Sequence, residues 1–415
     1  MKLLFLAPQP FFQERGTPIA VKLALEALSA RLIEVTKEET TIDLLVYREG
    51  KDVNIPGVTV HRVYSPKWLN GIRPGISCKK LLADLIFFIH TFQLIYKARR
   101  NQYKVIHAVE ESVFIAWLAK VLFKIPYVYD MDSSLAMQLT EKWWWFSPIS
   151  AILNFFERTV IRGASAVAPV CDALEALAHR HGASHTTMLR DVSLLPQGAK
   201  NLESHVDLRR ELQLGEEQPL LLYVGNLESY QGIDLLLESF QLACSHPSAP
   251  HLAVVGGNED SIAFYRKKAS ELGCQTQVSF TGPRPVATLK ALLLSSDIVV
   301  SPRTKGNNTP MKLYSYLHCG KALLATDLPT HTQIVDGTVA VLAAPNPRAF
   351  SEGMILLLSD PGLRREIGER ARVRAERLYT VDAFEKQLLT LYSHLGTRVL
   401  RKPNDTHSVV INGGA

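Results

Sequence analysis

The chain is poor in cysteine: Cys78, Cys171, Cys244, Cys274 and Cys319 are five in 415 residues, odd in number and without a CxxC pair. That spacing argues against a disulfide framework and a structural zinc site, and it predicts a reducing, cytoplasmic compartment. Long hydrophobic runs are also lacking. The best candidate, Leu81–Tyr96, is shorter than a membrane-spanning helix and contains Asp84, so a buried helix is expected there. At the N-terminus, MKLLFLAPQP has too short an apolar core for a signal peptide, and Pro8 interrupts it. Leu3–Ala7 reads instead as a first strand. No charge of one sign dominates. The net charge of +6 falls in the first 200 residues, which hold 24 Lys and Arg against 18 Asp and Glu, while the remainder holds 22 of each. A basic half suits an anionic contact such as a membrane surface or a phosphorylated lipid; ordinary surface variation would give the same excess. Basic residues are not interleaved with aromatics, which argues against nucleic acid.

What is present is globular: 47% hydrophobic and 21% charged residues. The first half alternates short apolar runs with helical patterns. Leu3–Ala7, Ile42–Tyr47, Val58–Val63, Val105–His107, Tyr127–Tyr129, Ala166–Val170 and Ser193–Pro196 read as strands, with helices over Ile19–Leu32 and Ser112–Phe123. A polar stretch over Gly198–Gln218 marks a junction, after which the pattern restarts at Leu220–Val224, His251–Val255, Val278–Phe280, Asp297–Val300 and Ala322–Thr326. This predicts an α/β protein of two doubly wound, Rossmann-like domains over 1–200 and 201–380, facing a cleft at the C-terminal strand ends. A C-terminal helix over 381–398 is expected to pack back on the first domain, and 399–415 to be a disordered tail.

The most informative stretch is SPRTKGNNTPMKLYSYLHCG, from Ser301 to Gly320. An apolar strand leads into a loop holding Arg303, Lys305, Gly306, Asn307, Asn308 and Thr309. Thr309 can cap a helix and Pro310 fits its first turn. A helix start offers free N–H groups and a partial positive charge, so the corner suits a phosphate. Lys312 in the first helical turn opposes the helix dipole, which makes sense if an anion lies there. Backbone N–H groups near Gly16 and Thr17, after the first strand, could add donors. In YDMDSS, Asp132 sits where a carboxylate could take an acceptor hydroxyl's proton or touch a sugar, or cap the helix beginning near Ser133. Glu110 and Glu111 are further carboxylates of this kind. The Asp130/Asp132 pair is weak as a metal motif, and no metal is expected. Trp143, Trp144 and Trp145 cannot all face one core. Beside Lys142 they suit a membrane interface; a partner surface and a partly buried helix are the other readings.

Taken together, these motifs resemble the family 4 retaining glycosyltransferases, of GT-B fold. The resemblance runs from Leu3 to about Leu395. It rests on Arg15-Gly16-Thr17-Pro18, Val105-Ile106-His107-Ala108, Leu195-Pro196-Gln197-Gly198, Tyr223–Leu227 through Gln231-Gly232, and Pro310–Leu317 with Cys319-Gly320-Lys321. It implies transfer of a sugar from a nucleotide-diphosphate donor, a UDP- or GDP-sugar, to a lipid-linked or glycan acceptor with retention of configuration. No cofactor is implied, and the setting would be cytoplasmic, at the inner face of a membrane. The donor would lie against Gly225, Asn226, Gln231, Arg303, Lys305, Asn307, Asn308, Thr309, Lys312 and Ser315. The family pattern has Arg and Lys where this chain has Asn226 and Gln231, and carboxylates where it has Asn307 and Ser315. Those departures leave Arg303, Lys305 and Lys312 to neutralise a diphosphate. They also motivate a second reading, a catalytically inactive protein that binds sugar nucleotides or glycans.

Overall fold

The computed structural model describes residues 1–11, 16–36, 39–72, 77–98, 103–136, 150–195 and 207–399. The chain divides into two compact units, residues 1–190 with 385–415, and residues 191–384. The tail expected over 399–415 lies, from residue 400, outside the described residues.

The first unit is built on a six-stranded parallel sheet ordered β3-β2-β1-β4-β5-β6. Its strands are β1 Lys2–Ala7, β2 Thr41–Val46, β3 Val58–Arg62, β4 Val105–Val109, β5 Tyr127–Met131 and β6 Ala166–Pro169. β1 is central and all but its first residue, Lys2, are buried, which accounts for the unbroken apolar run Leu3–Ala7. Alternate residues face opposite sides. Leu4, Leu6, Ile106, Ala108, Tyr127 and Tyr129 join one cluster with Phe87, Ala116 and Ile161 from α2 Cys78–Lys97, α3 Ser112–Phe123 and α4 Ser150–Gly163. Each fully buried Leu or Phe contributes about 1.5–3 kcal/mol. On the opposite face lie Phe5 and His107. The first helix, α1, runs over Gly16–Thr36, longer at both ends than the expected Ile19–Leu32.

The second unit repeats the design: its sheet is ordered β12-β11-β10-β7-β8-β9, again all parallel. The strands are β7 Leu220–Val224, β8 His251–Val255, β9 Val278–Gly282, β10 Ile298–Ser301, β11 Ala322–Thr326 and β12 Val341–Ala343. Two apolar clusters cover its two faces.

Two expectations change. Ser193–Leu195 is not a strand, and Pro196 lies outside the described residues. The Ser193 and Leu194 N–H groups are taken instead by the Tyr379 carbonyl at 3.2 Å and the Ser315 hydroxyl at 3.0 Å, so no ladder forms. The helix over Leu81–Tyr96 is present as α2 but is not buried all round. Ala83, Phe87, Thr91 and Ile95 form its inner stripe, while Leu81, Leu85, Ile89 and Tyr96 are exposed. Among the described residues no helix is long and apolar enough to cross a membrane.

Candidate active site

In an open parallel sheet, ligands bind where the strand order reverses. In the second unit that point lies between β7 and β10, which pair directly. β7 ends at Val224, followed by Gly225; β10 ends at Ser301, followed by the basic loop. The helix after that loop, α5 Lys312–His318, is locked onto the end of β7, where the Tyr316 hydroxyl accepts from Val224 N–H at 2.8 Å. This docking brings Lys312 over the strand end. Its Nζ lies 3.9 Å from the centroid of the Tyr223 ring and donates to Gln231 Oε1 at 3.0 Å. The Tyr223 hydroxyl in turn donates to the Asn226 carbonyl at 2.6 Å. Two glycines make room. A Cβ on Gly225 would sit 3.2 Å from Lys312 Nζ and 2.9 Å from the Tyr223 hydroxyl. Gly232 has φ +76° and a Cβ there would run into the Pro302 carbonyl oxygen, so only glycine lets the loops approach.

Lys312 is half-buried, and among the described residues no carboxylate pairs with it. Burial, with the nearby positive charge of Arg303, pushes its pKa well below the ordinary lysine value. A desolvated ammonium held by a π face and a neutral amide is completed by an anion.

The basic loop is tied down from behind. Arg303 folds back on it, donating from Nε to the Lys305 carbonyl at 2.7 Å and from Nη1 to the Asn308 carbonyl at 3.1 Å, and stands 5.2 Å over the Tyr230 ring. The carbonyls of Arg303, Asn307 and Asn308 accept from Thr326 Oγ1 at 2.6 Å, Gln333 Nε2 at 2.9 Å and Thr330 Oγ1 at 2.6 Å. Behind these, the fully buried His331 contacts Ser301 Oγ at 2.9 Å and Thr326 Oγ1 at 3.0 Å. Burial lowers its pKa to about 4, so the ring is neutral at pH 7.

Not every predicted donor residue takes the expected part. Thr309 is no helix cap: the helix begins three residues later, Met311 holds the cap position without a side-chain bond, and among the described residues the buried Thr309 hydroxyl has no partner. Ser315 is fully buried and its hydroxyl is occupied by Leu194 N–H, so it serves packing within the unit. Lys305 and Asn226 are exposed, the latter with Oδ1 accepting from Glu228 N–H at 3.4 Å. The residues brought together are therefore Gly225, Gln231, Lys312 and Tyr223, with Arg303 and the carbonyl-anchored Asn307 and Asn308 alongside. Tyr223 as a cation platform and the Thr326, Thr330, His331 and Gln333 anchors are functional residues beyond those expected from the sequence. Apart from Tyr223's place at the end of β7, nothing local to these residues signals those roles.

In the first unit, Gly16 and half-buried Thr17 open α1; Arg15 lies outside the described residues. Asp132 follows β5 and is half-buried, and its charge helps raise the Tyr129 pKa. The carboxylate built into a network is its neighbour Asp130. Its Oδ2 lies 3.2 Å from Nε2 of the fully buried His107, whose Nδ1 meets the Tyr392 hydroxyl at 2.9 Å. The His107 ring also stacks on Phe5, with centroids 4.3 Å apart. Tyr392 belongs to the last helix, Val381–Val399, most of which falls within the first unit. No sequence signal links residues 285 positions apart. At the end of β4, Glu110 takes a left-handed φ of 51°, a strained choice for a side-chain residue. Burial raises its pKa, Asp130 and Asp84 add to the rise, and Lys80 opposes it. A small cavity here is lined by Glu110, Glu111, Phe114, Tyr129, Ser133 and Glu157. Among the described residues, no cluster of three or more His, Cys, Asp or Glu is placed to hold a metal ion. Trp143, Trp144, Trp145 and Pro196–Gly198 lie outside the described residues.

Two family models match the chain. One, glycosyl transferases group 1, covers residues 206–374; the other, a glycosyl transferase 4-like domain, covers residues 24–190. A D-inositol 3-phosphate glycosyltransferase of Corynebacterium glutamicum is 24% identical over 332 residues, 77% of this chain and 79% of the relative. Anabaena HepE in complex with UDP superposes with a TM-score of 0.71 at 16% identity, covering 95% of this chain and all of that one. The same protein in complex with UDP-glucose gives 0.67 at 17% identity, covering 95% and 99%. The two models together span most of the sequence, and the folds agree: the chain belongs to the group 1 glycosyltransferases, with a 4-like first domain, and has the GT-B fold.

Proposed function

We propose that the protein transfers a sugar from a UDP- or GDP-linked donor, held on the second unit, to a lipid-linked or glycan acceptor received by the first, with retention of configuration. The observation that carries this reading is Lys312: a desolvated cation without a carboxylate partner among the described residues, set at the strand-order reversal beside Gly225. HepE, similar in fold, was solved with UDP and with UDP-glucose, which supports a nucleotide-sugar donor. In the proposed step the bond from the anomeric carbon to the diphosphate oxygen breaks. A bond to the acceptor oxygen forms on the same face, and the acceptor's proton passes to the departing diphosphate. Lys312 and Arg303 would stabilise the charge growing on that diphosphate, which is electrostatic catalysis. Asp132 and the Asp130–His107–Tyr392 network would orient the acceptor hydroxyl. The reading needs no metal or cofactor, and a lipid-linked acceptor would place the enzyme at the cytoplasmic face of a membrane.

Thermal unfolding with UDP, GDP, ADP and their sugars tests it. Ligand at 100 times its Kd stabilises by about 2.7 kcal/mol. One nucleotide family is expected to raise the Tm by several degrees; no shift with any of them would refute the donor assignment. The uncharged Asn226 and Gln231 favour one rival, a binder without turnover. Nucleotide binding with no release of sugar from any donor would select it.

A further inference from the structure

The helical layer covering one face of the first sheet is apolar on its outer side as well. α2, α3 and α4 share the core beneath them. They are neighbours: the rings of Phe92 and Phe123 lie 5.9 Å apart, and Lys120 Nζ donates to the Gly163 carbonyl at 2.7 Å. Outward, α2 shows Leu81 at 61% and Leu85 at 55% exposure, with Leu82, Ile89 and Tyr96 also exposed. At 100° per residue these five fall within about 100° of arc, so they make a stripe rather than a scatter. Val121 and Leu122 continue it on α3. On α4, Phe155 at 65% and Phe156 at 53% extend it together with Ile152. A patch of this kind on a folded unit marks an interaction surface.

The charges on this layer identify the partner. The exposed charged side chains are Lys79, Lys97, Arg158 and Arg162 on the helices and Lys124 just beyond α3. No acidic residue on the three helices is exposed. Asp84 is half-buried and takes the Tyr47 hydroxyl, and Glu157, on the inner side of α4, is buried and takes the Ser134 hydroxyl at 2.9 Å. Leucine, isoleucine and phenylalanine set among cations, with no exposed anion among the described residues of the three helices, match the interface of an anionic lipid bilayer, where apolar side chains enter the acyl boundary and Lys and Arg meet headgroup phosphates. A second copy would bring the same cations face to face. We propose that this outer face of α2, α3 and α4 docks the protein on anionic membrane surfaces. The proposal rests on this face and not on the transferase reading.

Co-sedimentation of the full chain with vesicles tests it, using phosphatidylcholine alone and phosphatidylcholine with phosphatidylglycerol. Binding is expected only to the anionic vesicles, weakening as salt rises. Each cation near the surface contributes about fivefold in affinity, so reversing Lys97 and Lys124 to Glu is expected to weaken binding more than twentyfold. The double variant Leu85→Glu, Ile89→Glu, both at exposed positions, is expected to lose at least tenfold while keeping its Tm and its nucleotide affinity. Absence of binding to either vesicle, equal binding to neutral vesicles, or undiminished binding of both variants would overturn the proposal. So would self-association of the wild type that the Leu85/Ile89 variant abolishes. Nucleotide affinity measured on the same preparations separates the two readings, because its loss would strike the donor assignment and leave vesicle binding untouched.

Discussion

Replacing Lys312 by Met keeps the stem against Tyr223 and removes the charge. In the free protein that charge is half-buried, faces a ring and an amide, and feels Arg303. It therefore adds little net stability: the lost bond to Gln231 is worth about 1 kcal/mol, offset by relief of a desolvated cation. Unfolding free energy is expected to change by less than about 1 kcal/mol. Binding behaves differently. A charge-assisted hydrogen bond to phosphate is worth about 1.5–3 kcal/mol, so affinity for the nucleoside diphosphate that stabilises the protein is expected to fall about 10- to 150-fold. The protonation of Lys312 gives a second readout. Its folded pKa lies below its unfolded one, so between the two the unfolded chain binds more protons and stability rises with pH; below the folded value the full penalty is present. An anion beside the ammonium opposes the shift, so at a pH between the free and the bound value nucleotide binding takes up protons. Calorimetry in two buffers of different ionisation enthalpy measures both quantities. Unchanged affinity and unchanged proton uptake in Lys312→Met would show that this lysine does not meet the diphosphate, as would a large loss of stability with affinity intact.

Three other outcomes are expected. Gly232→Ala forces a side chain into φ +76° and onto the Pro302 carbonyl, and is expected to cost about 1–3 kcal/mol by denaturant unfolding and to weaken nucleotide binding as the loops part. His331, lowered from 6.5 to about 4, is neutral when folded while the unfolded ring protonates, so stability is lost as pH falls from 6.5 toward 4. The loss is worth about 3 kcal/mol at 1.36 kcal/mol per unit, and urea unfolding of His331→Gln across that range is expected to show a shallower slope. Tyr392→Phe leaves His107 Nδ1 without its partner, costing about 1–3 kcal/mol, with no change in nucleotide affinity by calorimetry.

The fold was readable where chemistry is local. Leu220–Val224 and His251–Val255 are continuous apolar runs because parallel strands are buried on both faces, and both strands have these bounds. Val341–Ala343 escaped because a three-residue edge strand, half-exposed, lacks that signature. The exposed stripe of α2 is not legible in Leu81–Tyr96, because an apolar run does not say which of its faces a neighbour covers. In the site, Lys312, Gln231, Gly225 and Arg303 could each be nominated from the loop and helix motifs. Their arrangement could not, since Lys312 reaches Gln231 only once β7 and β10 are adjacent. The Thr326, Thr330 and Gln333 anchors and the His107–Tyr392 bond are tertiary contacts between residues that carry no mark of their own.

Nucleotide release from a panel of UDP- and GDP-sugars, comparing wild type with Lys312→Met, decides whether this second unit holds and activates a nucleotide-sugar donor. The wild type is expected to turn over one donor class, and the variant to do so at a rate at least tenfold lower. Nucleotide binding without turnover of any donor, or equal rates for the two proteins, would contradict that role.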